Sequence, residues 1–214
     1  MRREIIDIKL GSLWFIVGGN FASMRYLGAD MFLLRHGQSY FNLHFNQNGV
    51  DPGIKDPELT PFGIAQAAAA ATTLATSKLT RILVSPYTRA LQTVEPIRAL
   101  YDLPVDVLHE VRERAAFTCD VGSTPDVLAT RFPQHDFAHL PRQWWHEGTE
   151  PLEATIARAN NFRSLMSTRT DSDTTLLVSH WAFLLALTGV SLENAEIMEY
   201  DPASPAPPKM APYA

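Results

Sequence analysis

The chain has 214 residues, 46% of them apolar, and a formal net charge of −5. That size suits one domain with a full core and a modest insertion, not two independent domains. The acidic balance excludes the basic excess of a nucleic-acid binder, although a few converging arginines could still hold an anion.

The only cysteine, Cys119, rules out an intramolecular disulfide and favours a reducing compartment, so a cytoplasmic protein is expected. No apolar run is long enough to span a bilayer, so no membrane partner is expected. Residues 1–30 read as an N-terminal extension without function. Their basic start and apolar Leu13–Val17 faintly resemble a secretory leader, but Glu4, Asp7 and Gly18-Gly19 argue against one. An over-long gene start, with Met31 as the true first residue, fits the same pattern.

Met31–Leu34 is an apolar run halted by Arg35-His36-Gly37, which predicts a buried strand emptying into a tight turn. A short helix is expected from Ser39 to Phe45, then a loop over Asn46–Pro57. Thr60 and Pro61 suit the N-cap and first position of a helix that continues through the alanine-rich Ala65–Ala75. Arg81–Val84 is a second strand. It is followed by a helix from Tyr87 to about Tyr101, carrying Arg89 in its first turn and Pro96 as an expected kink or break.

Val105–Leu108 is a third short strand, ending in the charged run His109–Arg114. Cys119–Leu140 looks irregular, with a short helix opened by Thr124-Pro125. Thr149–Met166 predicts an amphipathic helix with Leu152, Ile156, Ala159, Phe162 and Leu165 along its apolar line. Thr174–Val178 is a strand running straight into Ser179-His180, then come a helix over Ala182–Leu187 and a last strand over Ala195–Tyr200. The Pro/Ala-rich tail, 201–214, is expected to be disordered.

The alternation predicts an α/β fold, a doubly wound and mostly parallel sheet with helices on both faces. Arg35-His36, Ser85 with Arg89, the Glu110/Glu113 pair and His180 each lie just past a strand. In a parallel sheet those ends share one edge, where open α/β sheets place their ligand sites. Two arginines and two histidines there suit a phosphoryl dianion. One imidazole could attack phosphorus, and a carboxylic acid could protonate the leaving oxygen, with the positive charge supplied without a metal.

The segments RHGQSYFN (35–42), LTPFG (59–63), SPYTRALQT (85–93) and VSHWAF (178–183), in that order, resemble the histidine phosphatase superfamily, also called phosphoglycerate mutase-like. The resemblance implies the doubly wound fold over 31–200, with a small inserted cap at about 114–150. It implies His36 as nucleophile, Arg35, Arg89 and His180 around the phosphoryl group, Asn42 as a further hydrogen-bond donor, and Ser39 near the substrate. A glutamate after the third strand is implied as proton donor. Glu113 fits the spacing and the Cys-Asp pair that follows it, and Glu110 is the alternative. Neither is followed by the glycine pattern usual in the family. Trp181 stands where many relatives have glycine, and it could wall the pocket or simply pack.

The implied activity is cofactor-free, metal-independent hydrolysis of a small phosphomonoester through a phosphohistidine. A phosphoglycerate mutase-type phosphotransferase and a non-catalytic phosphoryl-binding protein are the alternatives. Mutases usually carry longer, more basic insertions, whereas Cys119–Glu150 holds only Arg131 and Arg142. Other residues have readings of their own. His135 and His139, four apart, could be a metal pair, but no third ligand is evident. Cys119 lacks the arginine six positions on that a cysteine phosphatase needs, so it reads as a partly buried thiol. Trp144-Trp145 could line the opening or pack, and Arg112 and Arg114 could extend the anion surface or be solvated. No P-loop or G-x-S-x-G elbow is present.

Overall fold

Five strands make one sheet in the order β3-β2-β4-β1-β5: β1 Met31–Arg35, β2 Arg81–Val84, β3 Val105–Val107, β4 Thr175–Ser179 and β5 Ile197–Tyr200. The first four run parallel, and β5 closes the β1 edge antiparallel. The structure is a computed structural model and describes residues 30–208. The extension expected over 1–30 therefore lies outside the described residues except for Asp30. Of the tail, 201–208 are described and begin with a turn in which the Ser204 amide donates to the Asp201 carbonyl.

Strands without alternating polarity have both faces covered. In β1, Leu34 faces one core while Met31 and Leu33 face the other, and β4 divides the same way between Leu176/Val178 and Leu177. On the first face lie α2 (Pro61–Leu74), α3 (Thr88–Tyr101) and α4 (Pro125–Arg131); on the second lie α5 (Leu152–Ser167) and α6 (Trp181–Thr188). The sheet is thus wound on both sides. The small side chains Ala67, Ala70 and Ala71 are the buried face of α2, which lets it lie close to its neighbours. The segment between β3 and α5 adds Phe132, Phe137, Leu140 and Trp144 to the first core. No helix among the described residues is long and apolar enough to cross a membrane.

Several boundaries differ from expectation. The first helix, α1 (Tyr40–Asn48), runs three residues into the expected loop, because Gly49 in a left-handed conformation closes it and returns its amide to the Phe45 carbonyl. Pro96 does not interrupt α3: burial of Val94 and Ile97 on either side holds the helix together around the missing hydrogen bond. Helix α5 starts at Leu152 rather than Thr149, since Pro151 is its N-cap and disfavours helical backbone at Glu150. Its apolar line ends at Met166, and Leu165 is 55% exposed.

Register does the work that matters for function. Arg35 pairs with Ser179 across β1 and β4, and Val84 pairs with Val178 across β2 and β4. His36 and His180 therefore leave the sheet at one level, and Ser85 leaves one residue earlier, level with Ser179.

Candidate active site

His36 and His180 are brought together, with ring centroids 5.1 Å apart. Both are buried, His36 at 3% exposure and His180 at 0%, and each ring has a polar partner, the Gly37 carbonyl and the Ser85 hydroxyl. His36 Nδ1 lies 2.7 Å from the Gly37 carbonyl. A carbonyl only accepts, so this contact assigns the proton to Nδ1 and leaves the lone pair on Nε2. Burial drives the His36 pKa well below the ordinary imidazole value, and the charges of Arg89 and Arg35 lower it further. The ring is neutral and nucleophilic at neutral pH.

His180 Nε2 is 2.7 Å from Ser85 Oγ, a bond across two strands that the register makes possible. Its Nδ1 is buried without a hydrogen-bond partner among the described residues, which leaves one ring nitrogen uncommitted. Burial, then Arg89 and His36, lower its pKa as well. Behind it, the Tyr87 ring stands edge-on at 5.1 Å, and Trp144 packs edge-on to Tyr87 at 4.6 Å. Trp144 is therefore backing for His180, with its indole N–H on the Ser123 carbonyl.

Arg89 is 3% exposed and fixed from one side. Its Nη1 donates to the Cys119 carbonyl at 2.9 Å and its Nη2 to Asp120 Oδ1 at 3.2 Å, while its guanidinium lies 4.3 Å from the Tyr87 ring centre. Asp120 is buried too, and its second oxygen accepts the amides of Ala116 and Phe117. Arg35 donates through Nη1 to the Leu192 carbonyl, and its buried Nε has no partner among the described residues.

Glu113 sits at the start of α6: its Oε1 accepts the amides of Ala182 at 3.0 Å and Phe183 at 3.3 Å. Burial raises its pKa, and the negative charge of Asp120 raises it further against the pull of Arg89 and the amides of Arg114 and Ala182. Glu110 is not part of this group. It is 58% exposed, with a carboxylate oxygen 3.6 Å from His109 Nδ1.

Ser39 and Asn42 meet through a capping box that starts α1, with Asn42 Oδ1 accepting the Ser39 amide and hydroxyl. Asn194 Nδ2 also donates to that oxygen and to the His36 carbonyl. Asn42 is thereby oriented with its oxygen committed and its amide nitrogen as the group that could donate to an anion. Trp181 opens α6, and its indole N–H is bound to Ser191 Oγ at 2.7 Å.

The remaining candidates have other employment. His135 binds Glu95 and His139 binds the Val107 carbonyl, so the two rings are tied to different partners. The Cys119 thiol is buried and its pKa is pushed up by that burial. Arg112 Nη2 donates to the Glu150 carboxylate and Arg114 Nε to the Glu150 carbonyl, so both side chains reach Glu150.

Sequence reasoning missed Tyr87, Thr93, Asp120 and Asn194. Thr93 Oγ1 receives the Gly37 amide and donates to the Arg89 carbonyl, so one hydroxyl couples the histidine turn to α3. It lies in the 85–93 segment but carries no charge to draw notice. Asp120 had a signal in the Cys-Asp pair.

The segment 59–63 braces the same turn. Thr60 caps α2 and also bonds Gln38 through backbone and side chain. A Cβ on Gly63 would stand 2.0 Å from the Gln38 carbonyl oxygen, a backbone atom that cannot swing aside. Gly63→Ala is expected to cost about 3 kcal/mol, the upper range for overpacking, and to lower turnover by displacing His36. Urea denaturation of the variant checks this, and wild-type stability would refute the tight approach.

The chain matches the model of the histidine phosphatase superfamily, branch 1, over residues 31–205. It is 30% identical over 172 residues to an uncharacterised protein of Mycobacterium tuberculosis (strain CDC 1551 / Oshkosh), covering 75% of this chain and 79% of that one. It is 29% identical over 187 residues to a 2,3-bisphosphoglycerate-dependent phosphoglycerate mutase of Beijerinckia indica subsp. indica, covering 81% and 87%. Among solved structures, a mycobacterial glucosyl-3-phosphoglycerate phosphatase superimposes with a TM-score of 0.55 at 21% identity, covering 79% of this chain and 88% of that one. The phosphoserine phosphatase of Entamoeba histolytica gives 0.52 at 24% identity, covering 78% and 88%. At such identities the structural likeness speaks to the fold alone, while the family model spans nearly the whole described domain. The chain belongs to the histidine phosphatase superfamily.

Proposed function

We propose that the protein is a phosphatase that hydrolyses a small phosphomonoester through a phosphohistidine on His36. The observation that carries this reading is the His36 ring, with Nδ1 held by the Gly37 carbonyl, neutral, beside His180 and under the influence of Arg35 and Arg89. Arg35, Arg89, His180 and the Asn42 amide bind the phosphoryl oxygens. Nε2 attacks phosphorus in line as the bond to the leaving oxygen breaks. The Glu113 carboxyl gives its proton to that oxygen, and the alcohol departs. Glu113, now a carboxylate, takes a proton from water as the water oxygen attacks the phosphohistidine, which releases phosphate and restores both residues. Ser39 supports the substrate wall through Asn42, Trp181 stands at its edge, and the segment at about 114–150 serves as the cap. The fixed charges of the arginines do the work a metal would otherwise do.

A mutase reading draws support from the 29% identical relative. Retaining a bisphosphate between half-reactions requires further cations, however. In the cap, Arg114 is bound to the Glu150 carbonyl and Arg131 to Glu58 and Thr88, which leaves the exposed Arg142 as its one uncommitted fixed cation among the described residues. Hydrolysis is therefore favoured.

The test is release of inorganic phosphate from a panel of phosphomonoesters across pH, with 3-phosphoglycerate followed for isomer formation. Release should persist in EDTA. The nucleophile must be unprotonated, and its pKa lies well below 6.5; the donor must be protonated, and its pKa is raised above 4.5. The rate should therefore fall at low pH as His36 protonates and fall again at higher pH as Glu113 ionises, giving a bell-shaped profile. Isomer formation without phosphate release would replace the hydrolase with a mutase.

A further inference from the structure

A four-residue network outside the phosphoryl cup holds the backbone that carries Glu113. Glu150 has a side chain only 1% exposed, and it gathers three arginines. Its Oε1 accepts Arg112 Nη2 and Arg158 Nε, each at 3.0 Å, and its Oε2 accepts Arg158 Nη2 at 2.7 Å. Its own carbonyl accepts Arg114 Nε at 2.9 Å, and its amide donates to the Ala115 carbonyl at 2.7 Å. Arg158 then reaches on through Nη1 to the carbonyls of Glu110 at 2.7 Å and Arg112 at 3.0 Å. Ser179, the residue before His180, donates to the Val111 carbonyl at 2.7 Å.

The carbonyls of residues 109–112 and 115 are thus all bonded, and the two side chains flanking Glu113 both end on Glu150. The segment has no regular secondary structure beyond one 3₁₀ turn at His109–Val111, so beyond the buried Val111 and its bond from Ser179 it depends on this network. Burial opposes ionisation of Glu150, but Arg158 and Arg112 outweigh it and keep the carboxylate charged.

We infer that Glu150, acting with Arg158, is a positioning residue for Glu113: it fixes the backbone on both sides of the donor so that the carboxyl meets the leaving oxygen. This rests on the reading of Glu113 as proton donor. A donor matters most when the leaving group is a poor one, since an alkoxide needs a proton to depart and a nitrophenolate does not. Loss of positioning should therefore appear as selectivity between substrates rather than as a uniform loss.

The experiment compares kcat/KM for a primary alkyl phosphate and for 4-nitrophenyl phosphate in four full-length proteins: wild type, Glu113→Gln, Glu150→Gln and Arg158→Lys. Glu113→Gln should lower the alkyl-to-nitrophenyl ratio by about 10²-fold, and Glu150→Gln by about tenfold, within the range general acids contribute. Arg158→Lys keeps a cation opposite Glu150 but loses the fork that spans to the Glu110 and Arg112 carbonyls. It should shift the ratio the same way, and it decides the matter if Glu150→Gln does not fold. Equal loss on both substrates in the Glu150 and Arg158 variants, with Glu113→Gln still selective, would overturn the positioning role. Absence of selectivity in Glu113→Gln itself would overturn the donor assignment and the inference with it.

Discussion

Replacing His36 with alanine should reduce phosphomonoester hydrolysis by roughly 10⁴-fold or more, the scale on which removing a covalent nucleophile acts. The fold should survive. The His36 side chain makes one hydrogen bond, to the carbonyl of the next residue, whereas its backbone amide and carbonyl hold their bonds to Ser179 and Asn194 whatever the side chain. The cavity left behind would be lined by Arg35, Arg89 and His180, so it is polar enough to take water instead of collapsing. The variant should therefore unfold within about 1–2 kcal/mol of the wild type, inside the usual span for single substitutions. Rapid acid-free quenching of the wild type with a radiolabelled phosphomonoester should leave label on the protein that is lost in acid and kept in base, as a phosphoramidate is. The alanine variant should show none. A variant that turns over at near wild-type rate, or that still takes up acid-labile label, would move the nucleophile elsewhere.

Much of this arrangement was legible in the order of residues, for a physical reason. Strands of a parallel sheet buried on both faces must be continuous apolar runs, so Met31–Leu34 and Thr175–Val178 announce themselves. Where such a run stops at a charged or polar residue, that residue is delivered to the sheet's carboxyl edge. Arg35, His36 and His180 are found this way, with no knowledge of the rest of the fold.

What was not legible depends on contacts between segments with no local signature. The Ser85–His180 bond spans 95 residues and follows from register, which periodicity leaves open. Asn42 looked like a ligand donor only. That its oxygen closes a capping box with Ser39 and receives Asn194 depends on a loop 152 residues away. The choice between Glu110 and Glu113 could be made on spacing, but the cause of the difference, one carboxylate at the surface and the other capping α6, needed coordinates. Glu150 drew no reading of its own, lying within the helix expected over Thr149–Met166. Arg112 and Arg114, which could have extended the anion surface or been solvated, turned out to reach Glu150.

Arg89→Lys should lower kcat/KM by about 10²–10³-fold, the range for losing an oriented charged donor at a transition state. The two residues carry the same charge, so the loss would be one of geometry. Two of the five guanidinium N–H groups are already taken, by the Cys119 carbonyl and Asp120 Oδ1, and these bonds fix the plane of the fork. The rest remain for phosphoryl oxygens. A lysine ammonium has three donors on one atom and a shorter reach, so satisfying the buried Asp120 draws it away from the substrate, and turning to the substrate abandons Asp120. Either way a buried carboxylate is less well paired. Stability should fall by about 1–3 kcal/mol, less than the 3–5 expected when a buried partner is removed altogether. Asp120→Asn supplies the contrast. It leaves Arg89 its bond to the Cys119 carbonyl, so anion binding should be largely kept. It removes one of the charges that raise the Glu113 pKa, so the basic limb of the pH profile should move to lower pH. Competitive inhibition by inorganic phosphate separates the two effects: weaker in Arg89→Lys, near wild type in Asp120→Asn. Undiminished phosphate inhibition and turnover in Arg89→Lys would remove Arg89 from the phosphoryl site and leave its pairing with Asp120 as a purely structural contact.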